Sequence, residues 1–204
     1  LRGRLKVMAT EVIYFARGDI PEITVDFSDV IGNMKALHGI NNGPKSGYTE
    51  ADTDSGEWQL DMTDMYQSLN IPVVRVHDSE YPFGQDKFID IHCIFPDMER
   101  DADDPTAYHF AETDEYITAI MESGAQVFFR LGESIDHSGE NKYINPPEDY
   151  LKWAQICEHI IRHYNEGWAG GFHYNIVYWE MWNEPENSTM WTGSMEQFYE
   201  LYRT

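Results

Sequence analysis

The chain has 204 residues, enough for one sizeable core, and its apolar and aromatic content belongs to a folded protein rather than a disordered one. Its 14 basic residues face 36 acidic ones, and the net charge of −22 repels nucleic acid and anionic membranes while favouring solubility. No apolar run approaches the roughly 18 residues of a membrane helix, and residues 1–10 carry positive charge without the apolar centre of a secretion signal. Cys93 and Cys157 are too few for a disulfide scaffold and read as free thiols.

In chain order, residues 1–30 read as a short N-terminal β arm, with strands at 12–16 and 23–27 split by Gly18-Asp19-Ile20-Pro21. From residue 31 the pattern alternates. A strand over 36–40 leads into a Gly/Asn/Pro loop, a helix over 60–69 and a strand over 72–77. Residues 78–110 form a long irregular region of the kind that is functional or mobile in compact domains. A helix over 113–123 with Thr113 as its cap precedes a strand over 126–132. The helix over 148–164 places Tyr150, Leu151, Trp153, Ala154, Cys157, Ile160 and Ile161 at helical spacing. A strand over 176–182 and a helix from 194 to 202 complete the series.

Such alternation predicts parallel strands joined by right-handed crossovers, an α/β fold of the (β/α) TIM-barrel type. Only four β/α units fit into 31–204, whereas a closed barrel takes about 250 residues. Residues 31–204 are therefore expected to be the N-terminal half of a longer barrel. Its exposed edges call for the missing C-terminal half or a second copy.

The apolar run Ile176-Val177-Tyr178-Trp179-Glu180-Met181 stops at Trp182-Asn183-Glu184-Pro185. Pro185 has no N–H for a neighbouring strand, so the run reads as a buried strand that delivers Glu184 to its C-terminal end, facing a cavity. In α/β barrels catalytic groups sit at that end. Tyr178, Trp179, Trp182 and Trp191 surround it with rings that suit the apolar faces of sugars.

Residues 178–185, Met190-Trp191 and Phe198-Tyr199-Glu200-Leu201-Tyr202 together resemble glycoside hydrolase family 39, which contains β-xylosidases and α-iduronidases. Three further segments are similar in order and spacing: Ile71–His77 with its Arg-x-His pattern, Gly124–Gly132, and Pro146–Trp153. The resemblance covers roughly residues 31 to 204. It implies an O-glycosyl hydrolase on a barrel, with a carbohydrate substrate carrying xylose-like or uronic residues, no cofactor, and retention of anomeric configuration. Glu184 is then the general acid/base and Asn183 the partner of the sugar 2-hydroxyl. The family's nucleophile is a Glu on the seventh strand, beyond these residues, so this chain alone is expected to be inactive.

Retaining enzymes hold their two carboxyl groups about 5–5.5 Å apart, and the acid needs its pKa raised by burial or a neighbouring negative charge. Glu180 cannot serve as nucleophile, since it lies about 13 Å further down the same strand. His77, which matches the histidine of the Arg-x-His pattern, is a candidate substrate or site-ordering contact with a structural histidine as its alternative, and Arg75 reads as an ion-pair partner inside the barrel. His38 and Asn41, near the end of the first strand, line the same face or form plain turn chemistry. Glu133, at the end of the third strand, either touches substrate or orients its neighbours. Trp191 is the candidate sugar platform, with core packing as its alternative. Asp90 and His92 could share one face of an extended segment as metal ligands, but no third ligand stands at characteristic spacing, so no metal is expected. His159 and His163, at i and i+4, lack the Glu of a zinc-protease helix. A non-catalytic carbohydrate-binding half-barrel is the alternative to the enzyme.

Overall fold

The computed structural model describes residues 28, 32, 35–46, 60–79, 87–135, 139–140 and 142–204. The expected β arm over 1–30 therefore lies outside the described residues, apart from Ser28. In chain order the strands are β1 (Ile40–Asn41), β2 (Lys45–Ser46), β3 (Leu60–Asp61), β4 (Val73–Val76), β5 (Gln126–Leu131) and β6 (Tyr178–Met181). The helices are α1 (Thr63–Leu69), α2 (Ile91–Ile94), α3 (Ala111–Glu122), α4 (Tyr150–Glu166) and α5 (Met195–Arg203).

Four strands form one sheet in the order β1-β4-β5-β6, every pair parallel. This is the expected α/β alternation of strand and helix. The short pair β2–β3 is antiparallel and separate.

Alternation sorts the strand residues onto two faces. Val74, Val76, Val127 and Phe129 are fully buried in the main core, where Phe129 meets Tyr164 of α4 with ring centroids 5.6 Å apart. The opposite face carries Arg75, Phe128 and Tyr178, which stand in register across three strands, with Glu180 above them.

The helices form where the apolar spacing demands it. On α3, Thr113, Tyr116, Ile117 and Ile120 are buried at intervals of three and four. On α4 the stripe runs Trp153, Ile156, Cys157, Ile160 and Tyr164. Asp149 caps α4 by accepting from Lys152 N, and Gly167 ends it in the left-handed region. Ser194 and Gln197 form a reciprocal capping box on α5. Thr113 is no cap: it lies inside α3 and donates its hydroxyl to Phe88 O at 3.0 Å.

Three expectations about segments are corrected. The helix expected over 60–69 starts at Thr63, because Leu60 and Asp61 pair with β2 instead. The first strand begins at Ile40 rather than at residue 36, because pairing with β4 starts at Ile40↔Val74 and Leu37 is exposed. The supposedly irregular stretch after β4 contains α2 and a 3-10 turn at Pro105–Ala107, and it buries Phe88, Ile89, Ile91, Ile94 and Phe95. Ile91 and Ile94, one helical turn apart, point into the core and hold that segment against the sheet.

Candidate active site

Polar side chains gather at the C-terminal ends of the four parallel strands. Beyond β1, Asn42 takes a left-handed φ of 62°, which asparagine tolerates better than most residues. Its side chain brackets β4: Nδ2 donates to His77 O at 2.8 Å, and Oδ1 accepts from His77 N at 3.2 Å and from Ser79 Oγ at 2.9 Å. Asn42 thus extends the ladder with side-chain atoms and fixes His77. Burial, with Arg130 and Arg75 nearby, holds His77 below the ordinary imidazole range, so it is neutral near pH 7. Its Nδ1 is buried without a partner among the described residues.

Arg75 reaches across the sheet to β6. Its Nε and Nη2 donate to the two Glu180 oxygens at 2.6 and 2.9 Å, and Nη2 also donates to Asn183 Oδ1 at 2.6 Å. The planar guanidinium makes this fork possible, and an ammonium could not reproduce it. The expected ion pair of Arg75 is present, and its added bond to Asn183 Oδ1 fixes that side chain beside it.

β6 stops at Met181, one residue before the sequence predicts. Trp182 and Glu184 both have left-handed φ, 63° and 41°. Positive φ is uncommon for bulky residues and costs on the order of 1–3 kcal/mol each, sustained only where neighbours over-determine it. Here they do. Trp182 is buried, its N donates to Leu131 O at 2.6 Å and its Nε1 to Met190 O at 2.6 Å. Gly132 gives it room: a Cβ there would meet Trp182 Cα at 3.0 Å.

This turn decides where the expected site residues go. Asn183 is buried against Arg75. Glu184 is exposed, with Oε2 accepting from Asn187 Nδ2 at 3.2 Å. The expected position of Glu184 on an extended strand tip facing a cavity is thereby corrected, since the chain has already turned when it reaches that residue.

Trp191 is 2% exposed, packs edge-on against Trp182 at 4.9 Å and donates Nε1 to Ser194 O. It offers no open ring face for a sugar and belongs to the core. His38 is also displaced. It precedes β1 and its Nε2 lies 2.9 Å from Asn70 O, at the C-terminus of α1, which is the opposite end of the sheet from Asn183. Starting the strand four residues later moves His38 off the site.

Glu133 follows β5 and is buried. Its Oε1 accepts from His92 N at 3.2 Å, and its Oε2 lies 2.5 Å from His92 Nδ1. Burial, with Asp90 close by, pushes the Glu133 carboxyl up to about 7 against the pull of His92. For His92 burial opposes the charge, but its bonds to Cys93 and Glu133 outweigh it and raise the imidazole to about 10. Both wall a cavity of about 640 Å³ together with Tyr143, Trp153, Trp182 and Lys142. Its mixture of rings, carboxylates and a cation suits a polar, ring-shaped ligand.

Asp90 lies behind this pair. It accepts from Arg130 Nη2, from Ser134 N at 2.8 Å and from Ser134 Oγ at 2.7 Å. Asp90, His92 and Glu133 bring one ligand atom each within 4.8 Å of one another, the third ligand that sequence spacing does not reveal. Their charges are already matched, Asp90 by the buried Arg130 and Glu133 by the protonated His92, so a cation would have to displace a proton and compete with a guanidinium. We do not read them as a metal site. His159 and His163 are held by Gln155 O and by Asp114, inside the helical layer.

Sequence reasoning missed Asn42 and Arg130, and it weighed His92 only as a metal ligand. The positive-φ asparagine after an apolar strand is a signal that could have revealed the first. The other two depend on partners about 40 residues away.

A parallel sheet with helices packed against it and polar groups gathered at its carboxyl ends defines an α/β protein of the class that binds and transforms small molecules there. The family described as glycosyl hydrolases family 39 matches residues 43–204, and the chain belongs to it. Over 118 residues it is 22% identical to a β-xylosidase of Geobacillus stearothermophilus, covering 53% of this chain and 23% of that protein. Its structure is similar to that of a glucosidase from Croceicoccus marinus, with a TM-score of 0.64 and 29% identity over 84% of this chain and 34% of that one. The chain thus spans only 23% and 34% of the lengths of these two relatives. Among the described residues no helix is long and apolar enough to cross a membrane.

Proposed function

We propose that the chain carries the acid/base half of a retaining glycosidase site, built on the first four units of a (β/α) barrel. The observation that carries the reading is the Arg75–Glu180–Asn183 clamp beside Glu184, at the carboxyl end of a parallel sheet in a family 39 chain. Further strands would pair beyond β6, where Val177 and Tyr178 are exposed together with Tyr199 and Tyr202 of α5. That apolar rim suits the remainder of a barrel, which would also cover the Arg75 face of the sheet.

In this reading Asn183, held by Arg75, donates its Nδ2 to the sugar 2-hydroxyl. Glu184 protonates the leaving oxygen while a Glu outside residues 1–204 attacks the anomeric carbon. Water then enters at the same face, Glu184 removes its proton, and the glycosyl–enzyme bond breaks. The packing of the remaining units against β6 would supply the burial that Glu184 needs to hold its proton. His77, neutral, and Glu133 complete the polar wall. The substrate is a glycoside, and the names of the two relatives favour a xylose- or glucose-type sugar.

The test is Glu184→Gln in the protein encoded by the complete natural reading frame. Turnover of aryl glycosides with poor leaving groups should fall about 10²- to 10⁴-fold, the range of general acid catalysis. Activated leaving groups need less protonation and should lose less. Equal turnover of both substrate types in wild type and variant would remove Glu184 from the role.

A further inference from the structure

Cys93 and His92 stand in a line with Glu133, and the glycosidase reading uses neither of the first two. Cys93 Sγ lies 3.3 Å from His92 Nε2, and His92 Nδ1 lies 2.5 Å from Glu133 Oε2. Glu133 also accepts from His92 N, so the carboxylate fixes both the ring and the backbone of its partner. Tyr143 stacks on the imidazole at 3.6 Å, with planes 3° apart, and holds the ring flat. One nitrogen is therefore committed to the carboxylate, and the other can only face the thiol. A thiol, an imidazole and a buried carboxylate in this order are the elements of nucleophile activation, in which the base takes the proton and the acid orients the base.

Access matches the chemistry. Cys93 is partly exposed and lines a second cavity of about 580 Å³ with His92, His109, Glu112, Lys142 and Tyr143. Three of these groups can carry positive charge and one negative. Beyond His92 lie Glu133 and then Asp90, which is matched by Arg130. Cys157 offers the contrast within the same chain: it is fully enclosed in α4, and burial pushes its thiol well above the usual range.

We propose that His92 and Glu133 hold Cys93 as a nucleophilic thiolate, which makes it the site at which this protein reacts with small electrophiles, above all low-molecular-weight disulfides. The proton on His92 Nε2 is the one Cys93 has given up, so the resting pair is imidazolium and thiolate. Sγ then attacks one sulfur of the disulfide, the S–S bond breaks, and the other half leaves as a thiolate. The product is a mixed disulfide in the second cavity, against His92 and Tyr143. Those two residues also wall the cavity that contains Glu133, so the adduct removes the partner of His92 Nε2 and alters the polar wall of the candidate sugar site. His92 and Glu133 act here as positioning residues. The inference stands on this geometry and does not depend on the glycosidase reading.

The experiment is alkylation of the folded protein by iodoacetamide from pH 5.5 to 9, with each cysteine followed by peptide mass spectrometry. An ordinary thiol with a pKa near 8.5 loses roughly 75-fold in rate between pH 9 and 6.5, because its thiolate fraction falls by that factor. Cys93 should lose less than about fivefold over that interval and react at least tenfold faster than Cys157 at every pH. His92→Gln should restore the steep profile, lowering the pH 6.5 rate at least tenfold, and Glu133→Gln should lower it by a smaller factor. Incubation with oxidised glutathione should then give one adduct, on Cys93. A steep profile for wild-type Cys93, or a profile unchanged by His92→Gln, overturns the proposal. If either variant fails to fold, the wild-type profile decides alone.

Discussion

Asp90→Asn tests the most buried charge pair among the described residues. Arg130 is fully buried, and its Nη2 is shared between Asp90 and Ser134 Oγ, while Nε and Nη1 have no partner among the described residues. The substitution keeps shape and one acceptor but removes the carboxylate that is bonded to the guanidinium. Leaving a buried charge unmatched costs about 3–5 kcal/mol. In a domain of this size each kcal/mol moves Tm by about 2–4 °C, so Tm should fall by about 6–20 °C. Thermal unfolding by circular dichroism and urea unfolding by tryptophan fluorescence both read it. Adding Arg130→Met removes the orphaned cation and should recover most of the loss, because apolar replacement of a buried pair is often neutral or stabilising. The cycle should give a coupling of roughly 3 kcal/mol. The exposed Arg162–Glu166 pair is the control, and such surface pairs couple by about 0–1 kcal/mol. A cost below about 1 kcal/mol for Asp90→Asn, or additive single and double variants, would refute the idea that Arg130 depends on Asp90.

Two further outcomes follow from the same region and the site. His92, raised from 6.5 to about 10, contributes stability that is complete below pH 6.5 and is lost as pH rises toward 10; Glu133, raised from 4.5 to about 7, adds a loss between pH 4.5 and 7. Urea midpoints should therefore decline with rising pH across this window, and Glu133→Gln should flatten the decline, while an unchanged slope in that variant would contradict the pairing. Arg75→Met should release Asn183 and leave Glu180 unmatched, lowering kcat of the complete protein on glycosides by up to about 10²-fold with little change in KM. A KM effect alone would place Arg75 in substrate binding instead.

Where periodicity is strong, the sequence reads well. The strands at 73–76 and 126–131 and the helices at 111–122 and 150–166 fall within two residues of expectation, since buried stripes on both element types leave repeating apolar marks. The first strand reads poorly because Leu37 and Ile40 look alike in sequence, although only Ile40 is paired. Ile91 and Ile94 fit a helix or an irregular segment equally well over four residues. The ion pair of Arg75 was legible from its place on the strand. Its grip on Asn183 was not, because it joins residues 108 positions apart. Nothing in Trp182 announces a left-handed backbone, and from that one residue follow both the position of Asn183 and the exposure of Glu184.

The turn at Trp182–Glu184 sends three consecutive side chains to three destinations: core, arginine clamp and solvent. In a plain strand the first and third would share a face. Here the anchor of the catalytic candidate is an indole wedged among Trp153, Trp191 and Gly132. Helix packing and carboxylate aim are thus geared together. A shift of α4 that moves Trp153 would swing Trp182 and carry Glu184 with it. Substitutions far from any sugar could therefore retune the reaction through leverage alone.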